Sequence, residues 1–356
     1  MNGCARSLLL LAAASSVGAI LSPTRGSAGT VLSDAAAAMN PGDWVQLATN
    51  GIGTALLDTV SGGVGHILPY ADKMHWDPVT SRVYFMDSDD PGDGRRFVAY
   101  DEASNAWVVL PDPWTDTGVA HQYGLADIDV AGRRIYNIMP DGDRGTYYDF
   151  ATQSFISFSV PAAAYSCCGA VAYFPERGSL VYAHGPDLLE RVTSSGQWRT
   201  LSSSINTTYH AIAHYDPVHK LVIFGGGNDS NRTFYKLDQN GQVTTLKQPP
   251  INLESPRVEF VVNPATGAFF VFGLGQHFYS YDAMADTWTT LDAPSVPSNL
   301  WTGSGGNLLT TVGTAIARYG VAFFTSCENG GTCSVHLYKY APPPPIPSSP
   351  AQLTAN

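Results

Sequence analysis

The chain contains 356 residues and has a net charge of −11 at pH 7. This acidic balance argues against a nucleic-acid partner, because nucleic-acid phosphates would repel the protein. Charged residues make up only 14% of the chain, while 35 glycines and 24 prolines indicate many short strands joined by tight turns rather than helices.

Residues 1–28 have the pattern of a secretory signal peptide. Arg6 supplies the positive charge, Leu8 to Ile20 is a short apolar run, and small residues follow. Cleavage is predicted after Ala28, with a site after Ala38 as the second choice. The apolar run is short for a membrane span, so a membrane anchor is the minor alternative. The sequence therefore predicts secretion, either to the extracellular space or to a periplasm, and no membrane span.

A four-residue motif recurs along the chain: an aromatic or apolar residue, two further residues and then an apolar residue. The six copies begin at Trp44, Trp107, Phe155, Trp198, Val243 and Trp288. The last four intervals between first residues are 48, 43, 45 and 45 residues. Because a four-stranded propeller blade occupies roughly 40–50 residues, these intervals predict one blade for each copy.

Two further features recur at fixed distances from this motif. A Tyr-Asp pair lies seven residues before the motif in three units, at Tyr100, Tyr148 and Tyr281. Asp-Pro or Asn-Pro separates apolar alternations in three units, at Asp77, Asp216 and Asn263. Such turns mark hairpins. Each unit is therefore predicted to contain four strands, called a to d, with the Tyr-Asp pair on strand c and the motif on strand d.

The last unit, from Gly313 to Tyr340, has no motif of its own, whereas Trp44 to Leu47 is a spare copy near the N-terminus. Placing that strand at the outside of the last unit completes six blades. The prediction is an all-β fold over residues 42–342: a six-bladed β-propeller of four-stranded blades, closed by the N-terminal strand. A closed ring protects the sheet edges. An open β-sandwich, the alternative, predicts no such complementary halves.

A family resemblance follows from these residues. The turn at Gly225 to Gly227, followed by Tyr235, and the Tyr-Asp…Trp spacing resemble kelch repeats of the galactose-oxidase-like propellers. The resemblance concerns architecture, since the paired glycines are clear only in the fourth blade and no motif matches the copper site of galactose oxidase. It implies that ligands bind at the face built from the loops leading into strand a and the loops joining strands b and c.

Four cysteines remain after the predicted processing. Cys327 and Cys333 flank a turn between two strand-like runs and are predicted to form a hairpin disulfide. Cys167 and Cys168 lie in the blade opposite, too far away to reach them, so this pair is either linked to itself or free. The proline-rich residues 343–356 are predicted to form a disordered tail.

The candidate site consists of polar and aromatic residues in the loops of the predicted ligand face. The loops leading into strand a carry His121, Tyr123, Cys167, Cys168, Tyr209, His210 and Arg257. The loops joining strands b and c add His184, Arg232 and His277. His75, Asp127 and His214 lie deeper; the repetition of the two histidines at equivalent positions predicts a structural hydrogen bond to the backbone.

This set suggests a protein that binds, and cleaves by β-elimination, an extracellular anionic polysaccharide. A polysaccharide lyase must neutralise a uronate carboxylate, remove the adjacent proton and protonate the leaving oxygen. The candidates for neutralisation are Arg257 and Arg232. The candidates for the base are His210 and His121, and those for the acid are Tyr123 and Tyr209. His184, His277, Cys167 and Cys168 are assigned to substrate binding.

The main alternative is a non-catalytic kelch-like module that binds a cell-surface protein or glycan, and a redox enzyme centred on the cysteines is a third reading. Whether the chain is an enzyme is left open, and a monomer is predicted. No cofactor is predicted. Asp87, Asp89 and Asp93 could hold Ca²⁺ through oxygen ligands, although their spacing does not match a twelve-residue calcium loop.

Overall fold

Six four-stranded antiparallel sheets contain all the named strands of the described part of the chain. The computed structural model describes residues 29–57, 65–87, 96–111, 124–139, 144–161, 169–255, 257–301, 309–328 and 331–341. The predicted all-β, six-bladed propeller is therefore confirmed. Within these ranges no helix is long and apolar enough to cross a membrane. The predicted signal peptide and the predicted tail lie outside the described residues.

Three short elements precede the first complete blade. They are α1 (Val31–Ala38), β1 (Trp44–Leu47) and α2 (Ile52–Leu56). The first blade contains β2 (His75–Asp77), β3 (Arg82–Asp87), β4 (Arg96–Asp101) and β5 (Ala106–Leu110). The second contains β6 (Ala126–Asp129), β7 (Arg134–Ile138), β8 (Arg144–Asp149) and β9 (Ser154–Ser159).

The next two blades follow the same order. The third contains β10 (Ala170–Phe174), β11 (Ser179–His184), β12 (Asp187–Val192) and β13 (Trp198–Ser202). The fourth contains β14 (Ile212–Asp216), β15 (Leu221–Gly225), β16 (Phe234–Asp238) and β17 (Val243–Thr245). In each blade, hydrogen-bonded neighbours are also neighbours along the chain.

The last two blades differ in how they end. The fifth contains β18 (Val258–Val262), β19 (Phe269–Gly273), β20 (His277–Asp282) and β21 (Thr287–Thr290). The sixth contains β22 (Thr311–Ile316), β23 (Val321–Cys327) and β24 (Cys333–Lys339), with β1 as its outer strand. Short 3-10 helices occur at Pro175–Arg177, Ala293–Ser295, Ser298–Leu300 and Ala317–Tyr319.

The first strands of the six blades form a closed ring around a central channel. Each of β2, β6, β10, β14, β18 and β22 contacts the equivalent strand in the blade on either side. The buried apolar residues fill the spaces between neighbouring blades, with one cluster between the fourth and fifth blades, for example, and another between the fifth and sixth. The core is therefore divided among the blade interfaces rather than gathered at one centre.

The N-terminal strand closes the ring as predicted. β1 pairs antiparallel with β24, so that Trp44 lies opposite Tyr338 and Leu47 opposite Val335. The indole of Trp44 packs against Phe324, with 5.6 Å between ring centroids. The pairing removes the free edge that the last blade would otherwise expose.

The predicted hairpin disulfide is also present. Cys327 and Cys333 lie opposite each other in the β23–β24 hairpin and are bonded, six residues apart in sequence. Closing so short a loop lowers the entropy of the unfolded chain only modestly, which stabilises the fold by about 2 kcal/mol. Cys167 and Cys168 lie outside the described residues.

The seven residues that separate the Tyr-Asp pair from the motif on strand d are explained by the hairpin between strands c and d, which brings the two positions opposite each other. Tyr100 lies opposite Trp107 across that hairpin. The Tyr100 hydroxyl donates to Asn105 Oδ1 at 2.9 Å, and the Tyr281 hydroxyl donates to Asp286 Oδ1 at 3.0 Å. Both turn residues have positive φ, 50° and 52°, a conformation that Asn and Asp tolerate. The tyrosine therefore ties each turn to its sheet.

Candidate functional site

Because neighbouring strands within each blade are antiparallel, the connecting loops lie alternately on two faces of the ring. We call the face that carries the loops leading into strand a, and the loops joining strands b and c, the upper face. The turns between strands a and b, and between strands c and d, form the lower face. Residues 226–233, 246–257 and 274–276 connect the strands of the fourth and fifth blades on the upper face.

A pocket of about 240 Å³ lies on the upper face between the fourth and fifth blades, and we call it the rim pocket. Arg232, Arg257 and His277 line it, together with Ile251 and Asn252. Arg232 lies in the b–c loop of the fourth blade, Arg257 immediately precedes β18, and His277 is the first residue of β20. Three residues predicted from separate loops therefore meet in one pocket.

Hydrogen bonds and ion pairs fix both guanidinium groups of the rim pocket. Arg232 Nε donates to Asn252 Oδ1 at 3.0 Å, and Arg257 Nε lies 3.4 Å from Glu254 Oε2. The side chain of Arg257 remains 44% exposed. Burial raises the pKa of Glu254, Arg257 opposes this, and Asp229 adds to it, so the net direction is upward. At mildly acidic pH the carboxyl of Glu254 therefore offsets less of the positive charge of the arginines.

His210 is buried beside this pocket between two tyrosine rings. Its ring centroid lies 5.5 Å from that of Tyr70 and 4.3 Å from that of Tyr209. The side-chain amide of Asn228 lies 2.7 Å from His210 Nδ1, and with its nitrogen turned towards the two groups it also reaches Glu254 Oε1 at 3.0 Å. His210 is thus enclosed by its neighbours, whereas Tyr209 is 39% exposed.

Among the predicted site residues that the structure describes, His184 lies away from the rim pocket. His184 ends β11 in the third blade and stacks on Tyr182, with 5.7 Å between centroids. Burial lowers the pKa of His184, and Asp187 opposes the effect. The remaining candidates lie outside the described residues: His121, Tyr123, Cys167 and Cys168.

The predicted calcium loop is described only in part. Asp87 is fully buried at the end of β3, whereas Asp89 and Asp93 lie outside the described residues. In the ranges that the structure describes, no three His, Cys, Asp or Glu side chains are grouped so as to hold a metal ion. Calcium binding at this loop stays a prediction.

A segment of the first blade, residues 70–73, crosses the channel to the fourth. Tyr70 stacks on His210, as described above, and Asp72 Oδ1 lies 3.2 Å from His214 Nε2. Lys73 Nζ donates to the backbone oxygen of Ala213 at 2.7 Å and to that of Val171, in the third blade, at 2.6 Å. Sequence analysis missed these contacts, because no motif distinguishes residues 70–73.

The two deeper histidines, predicted to bond to the backbone, each face a carboxylate through one ring nitrogen. His214 meets Asp72, and His75 Nδ1 lies 3.6 Å from Asp127 Oδ1. Burial would raise the pKa of Asp127, but Lys73 and His75 outweigh it and lower that pKa to about 2. The channel therefore contains an ionised carboxylate, Asp127, whose pairing with Lys73 and His75 the repeat pattern did not indicate.

Comparisons with known proteins support the fold and do not indicate a function. No family model and no curated protein matches this chain. Among solved structures 1075 chains match it, so the architecture is widespread and does not by itself indicate a function. A structural-genomics protein of unknown function from Bacteroides thetaiotaomicron VPI-5482 is 10% identical over 83% of this chain and 75% of that chain, with a TM-score of 0.56.

A chain of a nidogen/laminin complex is 12% identical over 62% of this chain and 79% of that chain, with a TM-score of 0.46. The Bacteroides similarity shows the fold alone, because identity is so low. The chain is thus a six-bladed β-propeller, and its kelch-like relationship stays a prediction.

Proposed function

We propose that this protein binds a carboxylate-bearing extracellular polysaccharide in the rim pocket. The observation that carries the proposal is the meeting of Arg232, Arg257 and His277 in one pocket of about 240 Å³. Guanidinium groups pair with carboxylates through two parallel hydrogen bonds, which makes arginine well suited to uronate recognition.

The size and surroundings of the pocket suit one unit of a longer chain. Its volume lies below the about 300–1,000 Å³ of pockets that enclose a whole drug-sized ligand. Tyr209, exposed beside it, offers an aromatic face on which a neighbouring sugar can stack. His210 contacts the ring of Tyr209 and, through Asn228, also contacts Glu254, which pairs with Arg257. The stacking surface and the arginine are thus connected by one network.

Cleavage by β-elimination is the second part of the proposal. In it, Arg257 and Arg232 neutralise the uronate carboxylate, which makes the adjacent proton more acidic. His277, which is exposed in the same pocket, takes the role of base that the sequence suggested for His210. The hydroxyl of Tyr209 is the corresponding acid for the leaving oxygen.

Binding is tested by isothermal titration of the protein with oligogalacturonate and with a neutral galactan of similar length. Oligogalacturonate should bind. Arg257→Gln and Arg232→Gln should each lower the affinity for oligogalacturonate about tenfold by removing charge-assisted hydrogen bonds. Lys220→Gln is the matched control, since Lys220 is 54% exposed on the lower face of the fourth blade. Equal binding of both polysaccharides, or equal loss in all three variants, would contradict the proposal.

Cleavage is tested separately, by the ultraviolet absorbance of the new C=C bond on a panel of uronate polysaccharides. His277→Gln should abolish the signal while leaving oligogalacturonate affinity within about threefold, because the base acts in the transition state rather than in ground-state binding. Binding without any absorbance change would retain the first part of the proposal and remove the second. No binding to any polysaccharide would favour the non-catalytic module for a cell-surface protein.

A further inference from the structure

A second and larger cavity, separate from the rim pocket, occupies the central channel and extends towards the lower face. It has a volume of about 500 Å³ and is lined by residues from the first strands of all six blades and from the turns that follow five of them. We call it the channel cavity. A cavity of this size matches the about 300–1,000 Å³ of small-molecule sites.

The walls of the channel cavity are mainly apolar and aromatic. Aromatic rings from four blades line it, those of Trp76, Tyr173, Tyr215 and Phe260. Three prolines in the turns between strands a and b add to the apolar lining. Phe260 stacks on the ring of His214, with 5.3 Å between centroids, so part of the wall is already an ordered stack. Such walls favour a flat aromatic body, which gains both apolar burial and ring contacts.

Four titratable side chains interrupt this apolar lining, those of Lys73, His75, Asp127 and His214. The carboxylate of Asp127 is satisfied by its neighbours: Oδ1 accepts from the backbone of Ile128 at 2.8 Å, and Oδ2 accepts from that of Tyr173, also at 2.8 Å. Lys73 Nζ lies 3.9 Å from Asp127 Oδ2. The lysine and the aspartate therefore offset each other's charge, and the lining as a whole favours neither an anion nor a cation.

Hydrogen-bonding capacity is left over in this polar group. His75 faces Asp127 through Nδ1 and His214 faces Asp72 through Nε2, and the other nitrogen of each ring forms no hydrogen bond among the described residues. Lys73 gives two of its three N–H groups to backbone oxygens, and its 3.9 Å approach to Asp127 is too long for a hydrogen bond. His75 and His214 are only 3% and 7% exposed. Polar atoms that lack partners within an apolar cavity mark where a ligand's polar group would bind.

We propose that the channel cavity binds a neutral phenol, whose rings pack against the aromatic walls and whose hydroxyl binds at His75 beside Lys73. His75 and Lys73 approach the two oxygens of the same carboxylate, that of Asp127, so a ring nitrogen and an N–H donor lie in one region of the lining. A hydroxyl both donates and accepts, so it can accept from Lys73 and can pair with His75 Nε2 whether or not that nitrogen carries a proton. A carboxylate ligand would meet the ionised Asp127, and an ammonium ligand would meet Lys73, so each would bring a like charge to a buried one.

The test compares four probes of similar shape on the wild-type protein: 2-naphthol, 2-methoxynaphthalene, 2-naphthoate and 2-naphthylmethylamine. Equilibrium dialysis should show 2-naphthol binding about tenfold or more tightly than 2-methoxynaphthalene, which corresponds to about 1.4 kcal/mol, because methylation removes the donor. The two charged probes should both bind more weakly than 2-naphthol. Equal affinities for the hydroxyl and methoxy probes, tighter binding of either charged probe, or no binding of 2-naphthol would each overturn the proposal.

The variant His75→Phe locates the hydroxyl. It keeps a ring and removes both nitrogens, so the preference for 2-naphthol over 2-methoxynaphthalene should fall to about twofold or less. His219→Phe is the matched control, because His219 also pairs with a carboxylate, 2.7 Å from Asp216 Oδ2, but lies outside the cavity lining, and it should keep the full preference. An unchanged preference in His75→Phe, or an equal loss in both variants, would overturn the assignment. If His75→Phe fails to fold, the comparison of the four probes on the wild-type protein still decides the proposal.

Discussion

Lys73 links three blades of the ring through hydrogen bonds from a single side chain. Its ammonium crosses the channel and holds backbone oxygens of the third and fourth blades, at Val171 and Ala213. A lysine that leads into an inner strand carries no recognisable pattern, and its partners lie far away in sequence. Sequence reasoning cannot find such a contact, because it depends on how the ring closes rather than on local periodicity.

Glu190 provides a test at the scale of one residue. This fully buried carboxylate accepts from Arg177 Nε at 2.6 Å and from Ser179 Oγ at 2.7 Å, and it is paired with Arg199. Glu190→Gln should lower the free energy of unfolding by about 3 kcal/mol at pH 7, because Arg177 keeps its charge and loses its ion pair. Urea unfolding measures the change. Asp187→Asn in the same strand, where the side chain is only half-buried, is the control.

The pH dependence of that difference follows from the same contacts. Burial would raise the pKa of Glu190, but the arginines and the serine outweigh it and lower that pKa to about 2. A carboxyl whose pKa is lower in the folded state stabilises the fold above its unfolded pKa and loses this contribution as the pH falls. The advantage of the wild type over Glu190→Gln should shrink between about pH 4.5 and pH 2. A constant difference across this window would contradict the assignment.

Among the elements, strands were predictable and helices were not. The spacing of Trp107 and Trp288 from their Tyr-Asp pairs identified strands c and d, because facing residues in a hairpin have a fixed separation. Helix α1 was missed, since its run of small residues has no clear apolar period. In the structure Leu32 and Ala36 of this helix are buried, and Thr30 donates to Glu102 at 2.6 Å.

Strand β1 carries a prediction at the scale of one element. Trp44 packs against rings of the fifth and sixth blades, including Phe272 at 5.9 Å and Tyr338 at 4.7 Å between centroids. Trp44→Ala should therefore lower the free energy of unfolding by about 3 kcal/mol. Trp44→Phe should lower it by less than about 1.5 kcal/mol, because Trp44 Nε1 has no hydrogen-bond partner among the described residues. Urea denaturation compares the two, and equal losses would show that ring packing does not hold the closure.

For the whole molecule, the repeat predicted the ring, and the resemblance to kelch-like propellers supplied the expectation of which face its ligands meet. Aligning the blades was enough to bring Arg232, Arg257 and His277 into one region, because equivalent loops lie on the same face. It was not enough to say which equivalent residues touch. His184 belongs to the same set and lies in the third blade, away from the rim pocket, while His210 turned out to be buried. Those outcomes depend on side-chain packing between blades, which a single sequence does not encode visibly.

The most direct measurement of the central claim is hydrogen–deuterium exchange of the whole protein with and without oligogalacturonate. Binding in the rim pocket predicts slower exchange in residues 228–233, 250–257 and 274–277, which surround Arg232, Arg257 and His277. Residues 217–220, on the lower face of the fourth blade, should be unchanged. Protection confined to the lower face, or protection spread equally over all six blades, would contradict the claim that the fourth and fifth blades hold the polysaccharide.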